Sequence, residues 1–198
     1  NDFMGADSVD WMKEKVVIAR TTSPRVSEIL ITDYTLSYQF SIKRNGLNIF
    51  PKWADKSKKY LYYTSLTNGV PELHKYGIYD KSDVLILKSD GMLVCSDVSE
   101  DGKKLLLSMA PKGQPDVYEY DVETRKLKRL TKYSGIDVNA QYLADEKIAF
   151  ISNRFGYPNV FAKKIGSDAV EQLVYVGKSN SACSAHNNYI VYKARESS

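Results

Sequence analysis

The chain has 198 residues, of which 43% are hydrophobic and 26% charged, with a formal net charge of +4. This is the balance of a globular protein with its own core, and it excludes a disordered tail, a collagen and a coiled coil. No run approaches the roughly 18 apolar residues of a membrane-spanning helix.

The opening Asn1-Asp2-Phe3-Met4 has neither a basic head nor an apolar run, so it is not a signal peptide, and the chain reads as part of something longer. Residues 1–14 are expected to be a linker or a short helix, with Ser8 as its cap. From residue 15 onward the chain repeats itself. Strand-like runs occur at Val16-Val17-Ile18-Ala19, Tyr60-Leu61-Tyr62-Tyr63-Thr64, Leu105-Leu106-Leu107-Ser108 and Ile148-Ala149-Phe150-Ile151-Ser152. Thr64, Ser108 and Ser152 stand 44 residues apart. After the last three runs come Gly69-Val70-Pro71-Glu72-Leu73, Gly113-Gln114-Pro115-Asp116-Val117 and Gly156-Tyr157-Pro158-Asn159-Val160. The first copy is degenerate, keeping only Glu28-Ile29 in phase.

Each unit reads as four short strands. In the unit opening at Met92, Asp101-Gly102 makes a hairpin turn, Pro111 to Pro115 a loop, and Glu123-Thr124-Arg125 a second turn. Four antiparallel strands recurring every 40-odd residues mark an all-β fold, a β-propeller of four-stranded antiparallel blades. The blades are expected near 15–45, 47–90, 91–134 and 135–178, with a partial one at 179–198. The first would lack its innermost strand. About four of six blades are then present, and the Gly-x-Pro segments lie in loops between second and third strands.

Little in the blades suggests chemistry. There are two histidines. His186 shares a phase with Val98, Tyr142 and Trp53, and His74 one with Leu30, Tyr118 and Phe161, both packing positions. No Gly-x-Ser-x-Gly elbow is present. Asp97, Asp101 and Asp137 fit no calcium loop and suit turns. The basic residues are scattered, which argues against a nucleic-acid surface. Cys95 and Cys183, two repeat lengths apart, would lie across the channel, too far for a disulfide. No catalytic residue, metal or cofactor is expected.

Pro51-Lys52-Trp53-Ala54-Asp55-Lys56-Ser57-Lys58-Lys59, Val98-Ser99-Glu100-Asp101-Gly102-Lys103-Lys104, Ser152 to Val160 and Glu28-Ile29-Leu30-Ile31-Thr32-Asp33-Tyr34 occur in an order that resembles the TolB family, propellers of the Tol–Pal envelope system of Gram-negative bacteria. Asp55 and Ser57 depart from the family's Pro and Gly. The resemblance implies a periplasmic, non-enzymatic scaffold that binds the lipoprotein Pal and supports outer-membrane integrity and cell division. TolA contact belongs to a family domain not found in these residues. The alternative is a propeller gating a prolyl-peptidase-like protease.

In a propeller, the connection from one blade's outermost strand to the next blade's innermost strand crosses one rim. These connections are Arg44 to Phe50, Lys88 to Cys95, Lys132 to Asn139 and Lys178 to Cys183. The resemblance makes this rim the Pal-receiving one, so Asn48, Ser89, Met92, Tyr133, Ser134, Asp137, Asn139 and Asn180 are expected to face the partner. Lys112 is expected on the opposite face.

Overall fold

The computed structural model describes residues 3–7, 15–33, 35, 39–67, 69–111, 113–175, 179–186 and 189–195. Among these residues every helical or extended element is a strand, and the strands form five antiparallel sheets taken in chain order. The first sheet holds β1 (Phe3–Asp7), β2 (Val16–Ser23), β3 (Val26–Thr32) and β4 (Gln39–Ile42). The second holds β5 (Asn48–Trp53), β6 (Tyr60–Ser65), β7 (Glu72–Gly77) and β8 (Asp83–Lys88). The third holds β9 (Leu93–Val98), β10 (Lys104–Met109), β11 (Asp116–Asp121) and β12 (Leu127–Arg129). In the fourth are β13 (Asp137–Leu143), β14 (Lys147–Ser152), β15 (Asn159–Lys164) and β16 (Glu171–Gln172). The fifth pairs β17 (Ser179–His186) with β18 (Tyr189–Arg195). Spatial order equals chain order in every sheet, so each is a simple meander and the fold is a β-propeller.

The blades hold one another through apolar layers. Strand β10 shows why its sequence runs Leu-Leu-Leu rather than alternating. Leu105, Leu107 and Met109 pack with Tyr62 and Leu73 of the second blade. Leu106, pointing the other way, packs with Ile148, Phe150 and Phe161 of the fourth. A strand sandwiched between two blades needs apolar side chains on both faces, and all three leucines are fully buried. Burying each is worth roughly 1.5–3 kcal/mol. Similar layers join the first blade to the second around Trp53 and Tyr63, and the fourth to the fifth around Ile151 and Cys183. The outermost β12 (Leu-Lys-Arg) is exposed throughout, with the lysine that discourages edge pairing.

Strands β5, β9, β13 and β17 are the innermost of their sheets, and each has a register shift against its neighbour. Phe50 and Asn139 stand in the left-handed region at these shifts, with φ of 53° and 54°. An extra residue there bends the strand and increases its twist, which suits a strand lining a central channel. Trp53, Val98, Tyr142 and His186 occupy equivalent register positions opposite Leu61, Leu105, Ile148 and Tyr189.

Two expectations need correction. Residues 3–7 form a strand rather than part of a linker or helix. Phe3 pairs with Arg20 and Asp7 with Val17, so β1 is the innermost strand of the first blade, which was expected to lack one. The apolar edge of β2, with Val17 and Ala19 fully buried, has a backbone ladder to complete, and the nearest chain segment completes it. The proposed helix from Ser8 to Glu14 lies outside the described residues.

Candidate functional site

In a four-stranded meander the chain reverses three times, so the loop after the second strand and the connection leaving the fourth end up at the same end of the blade. The Gly-x-Pro loops therefore share a rim with the inter-blade connections. Backbone hydrogen bonds tie the two together. The carbonyl of Pro71 accepts from the Ser89 N–H at 3.1 Å, that of Pro115 from Asp137 at 2.9 Å, and that of Pro158 from Asn180 at 2.7 Å. Ala110 N–H donates to the Met92 carbonyl at 2.9 Å, which puts Ala110 at the same end as Met92. The expectation for Lys112 falls on a residue outside the described ones. Gly91 has no room for a side chain, because a Cβ there would stand 1.9 Å from the Ala110 carbonyl oxygen.

The eight residues expected to face a partner divide into two groups. Met92 and Ser134 are exposed and Tyr133 is half-buried. Asn48, Ser89, Asp137 and Asn180 are instead buried, and Asn139 is half-buried. Asn48 and Ser89 satisfy backbone groups of the connections that no strand ladder reaches, while Asp137, Asn139 and Asn180 bind groups on neighbouring loops and strands. The Asn48 amide reaches the carbonyls of Gly46 and Asn45, each at 3.3 Å, and so closes the first connection. The Ser89 hydroxyl accepts from Gly91 N–H at 3.3 Å. Asn180 donates to the Asn159 side chain at 2.6 Å. Asn139 donates to the Cys183 carbonyl at 3.1 Å, linking the fourth blade to the fifth.

Asp137 is fully buried, and Arg154 Nη2 donates to both of its carboxylate oxygens at 3.0 and 2.9 Å. The guanidinium of Arg154 lies 5.1 Å from the Tyr133 ring centroid and 5.2 Å from that of Phe161. A buried carboxylate thus fixes an arginine, and the arginine supports the tyrosine from below. Asp116 accepts from the Tyr133 N–H at 3.1 Å and pairs with Arg129. Tyr133 is therefore held at both its backbone and its ring.

The residue following each Gly-x-Pro carries a repeated role: Glu72, Asp116 and Asn159 each bind a side chain or backbone group of their own blade's outgoing connection or of the strand leading into it. Glu72 takes Lys88 at 2.6 Å and His74 at 3.1 Å. Lys88 first, then His74, hold the Glu72 carboxyl below the usual carboxylate range. His74 does stack on Tyr63, 5.3 Å between centroids, as a packing residue should, but it also meets Asp83 at 2.9 Å.

Sequence reasoning missed two strongly exposed aromatics of this rim, Phe155 at 71% and Tyr157 at 65%. They lie in the fourth blade's Gly-x-Pro loop. Counting strand reversals would have placed that loop beside Tyr133.

The acidic residues considered for calcium are spent elsewhere. Asp97 accepts from Tyr142 N–H at 2.8 Å, Asp101 from the Ser99 hydroxyl at 2.6 Å, and Asp137 from Arg154. Among the described residues no group of His, Cys, Asp and Glu is arranged to hold a metal ion. Cys95 and Cys183 are both buried and form no disulfide, and burial pushes the Cys183 thiol up to about 12.

The rim offers a rigid surface of exposed Met, Tyr, Phe and Ser over a buried polar framework, which suits the gripping of a protein. The chain is 50% identical to the Tol-Pal system protein TolB of Wolinella succinogenes, over 100% of its own length and 48% of that protein's. It thus spans about half the length of the curated relatives it matches. The crystal structure of TolB from Acinetobacter baumannii superposes with a TM-score of 0.80, at 24% identity, over 91% of this chain and 47% of that one. A prolyl endopeptidase structure also superposes, with a TM-score of 0.67 at 16% identity over 95% of this chain and 32% of that one, which shows a shared fold alone. The family model described as the TolB beta propeller domain matches residues 12–198, and the chain belongs to that family.

Proposed function

We propose that the chain is a non-enzymatic periplasmic scaffold that binds the lipoprotein Pal through the rim of inter-blade connections and Gly-x-Pro loops, and in this way supports outer-membrane integrity and cell division. The observation that carries the reading is the combination of family membership with a rim on which Tyr133 is held by Arg154 at its ring and by Asp116 at its backbone, beside the exposed Phe155 and Tyr157. Preorganised aromatic anchors lose little freedom on binding, which favours affinity. Met92, Tyr133, Phe155 and Tyr157 are the direct contacts, with Ser134 at their polar edge. Asn48, Ser89, Asp137, Asn139 and Asn180 act by shaping the connections that present them. TolA contact is not part of this reading.

Titration calorimetry against purified Pal tests it. Tyr133→Ala is expected to weaken binding by about 1–2 kcal/mol. Lys126→Ala, an exposed change in the turn at the opposite end of the third blade, should leave affinity unchanged. Weakening by Lys126→Ala but not by Tyr133→Ala or Met92→Ala would place the binding face on the other end.

A further inference from the structure

A groove of about 720 Å³ runs between the first and second blades, away from the anchors of the rim. One wall is the outermost strand β4 with the connection that follows it, and the other comes from Thr67, Tyr76 and Lys81 of the second blade. Three cations, Lys43, Arg44 and Lys81, line it, and no carboxylate does among the described residues. Arg44 is answered by Asp83 from strand β8. Lys43 makes no ion pair among the described residues, but its charge is felt by Glu28 on the adjacent strand β3, whose carboxyl also engages Arg20. The Lys81 ammonium lies 3.8 Å from the Phe40 ring centroid and donates to the Ile78 carbonyl at 2.7 Å. Nearby Asp80 is already engaged by the Ser82 N–H at 3.0 Å and hydroxyl at 2.8 Å. The groove lining therefore combines three cations with the rings of Phe40 and Tyr76, while the carboxylates of Glu28, Asp80 and Asp83 stand near it but are not among its described lining residues.

Its walls are fixed relative to each other. The Thr67 hydroxyl donates to the Asn45 carbonyl at 2.6 Å, and Gly46, with φ of 77°, lies so close to Thr67 that a Cβ would meet its Cα at 2.8 Å. A preformed slot of this size exceeds the needs of a single small anion and fits several residues of peptide.

We propose that this groove binds an acidic peptide segment of a protein partner, with carboxylates meeting Lys43 and Lys81 and an apolar side chain resting on Phe40 and Tyr76. The charge complementarity is electrostatic and exposed at its mouth, so binding weakens with salt. The groove reaches the rim at Arg44, Asn45 and Thr67 but includes none of Met92, Tyr133, Phe155 and Tyr157, and its test does not depend on Pal.

The probe is fluorescein-labelled hexaglutamate, read by anisotropy, with labelled hexaglutamine as the uncharged comparison. The chain should bind the first and not the second. The pair Lys43→Gln and Lys81→Asn should weaken hexaglutamate at least tenfold; asparagine is chosen because Lys81 has φ of 57°. The pair Lys126→Gln and Lys128→Gln should change it less than twofold. Equal weakening by both pairs, or no binding of hexaglutamate by the unmodified chain, overturns the proposal. A benzophenone-bearing hexaglutamate crosslinked to the unmodified chain gives a reading free of any folding defect. Adducts on residues 40–45 or 76–81 support the site, and adducts elsewhere refute it.

Discussion

Asn48, Asp137 and Asn180 show how a residue type misleads when its neighbours are unknown. In a sequence, Asn and Asp at a connection suggest contact with solvent or a partner. In the fold, each sits at the first positions of an innermost strand, where polar groups of the connections and of neighbouring loops need partners, and burial there is favourable only because those partners exist. Asp137→Ala should accordingly destabilise the chain by about 3–5 kcal/mol, because it leaves the Arg154 guanidinium, 18% exposed, without its carboxylate. Chemical denaturation of the variant measures this, and a loss below 1 kcal/mol would mean that Arg154 finds another acceptor. Glu72 makes a pH prediction. Its carboxyl is held below the ordinary range by Lys88 and then His74, so the folded state binds its proton less readily than the unfolded chain does. Its contribution is in full force above the ordinary Glu pKa and is lost as pH falls through the lowered value. Glu72→Gln should flatten the fall in stability below about pH 4.5, and an unchanged acid limb would show the ion pairs to be inert. The thiols are legible from phase alone: equal positions on alternate blades stand apart, and Cys95 and Cys183 form no disulfide. Both should react with a thiol reagent after denaturation without reductant. In the native chain Cys183 should be silent at neutral pH, since burial pushes its thiol up to about 12.

At the scale of strands and turns, the 44-residue phase carried most of the information. It located the Gly-x-Pro loops between second and third strands, where the structure has them. The equivalence of Trp53, Val98, Tyr142 and His186 likewise follows from spacing, because a repeated blade presents the same position to the same layer. Strand β1 was not legible. Its five residues have no repeat partner upstream, and only the unpaired edge of β2 selects them. That the Gly-x-Pro loops share an end with the inter-blade connections was not read either, because the direction of each strand was not carried through the meander. At this scale, Leu106→Ala should cost about 2–5 kcal/mol. Leu106 is fully buried in the layer between the third and fourth blades, and the cavity would be bounded by Ile148, Phe150 and Phe161. Thermal unfolding reads the loss, and a change under 1 kcal/mol would mean that the blades close up around the gap.

For the whole molecule, the blades act as a frame that holds one rim rigid, and no single blade contains the whole surface. Met92 comes from the connection into the third blade, Tyr133 from the connection into the fourth, and Phe155 and Tyr157 from the fourth blade's own loop. Arg154 joins two of these sources, because it grips Asp137 and supports the Tyr133 ring. A partner reading this surface therefore senses the packing of neighbouring blades. Hydrogen–deuterium exchange of the chain with and without Pal tests the account most directly, because it reports both ends of every blade at once. The account predicts slowed exchange at residues 89–92, 131–136 and 153–157, with no change in the opposite turns at 55–59, 99–103 and 122–126. Protection of those turns, with the connections and Gly-x-Pro loops unaffected, would contradict it.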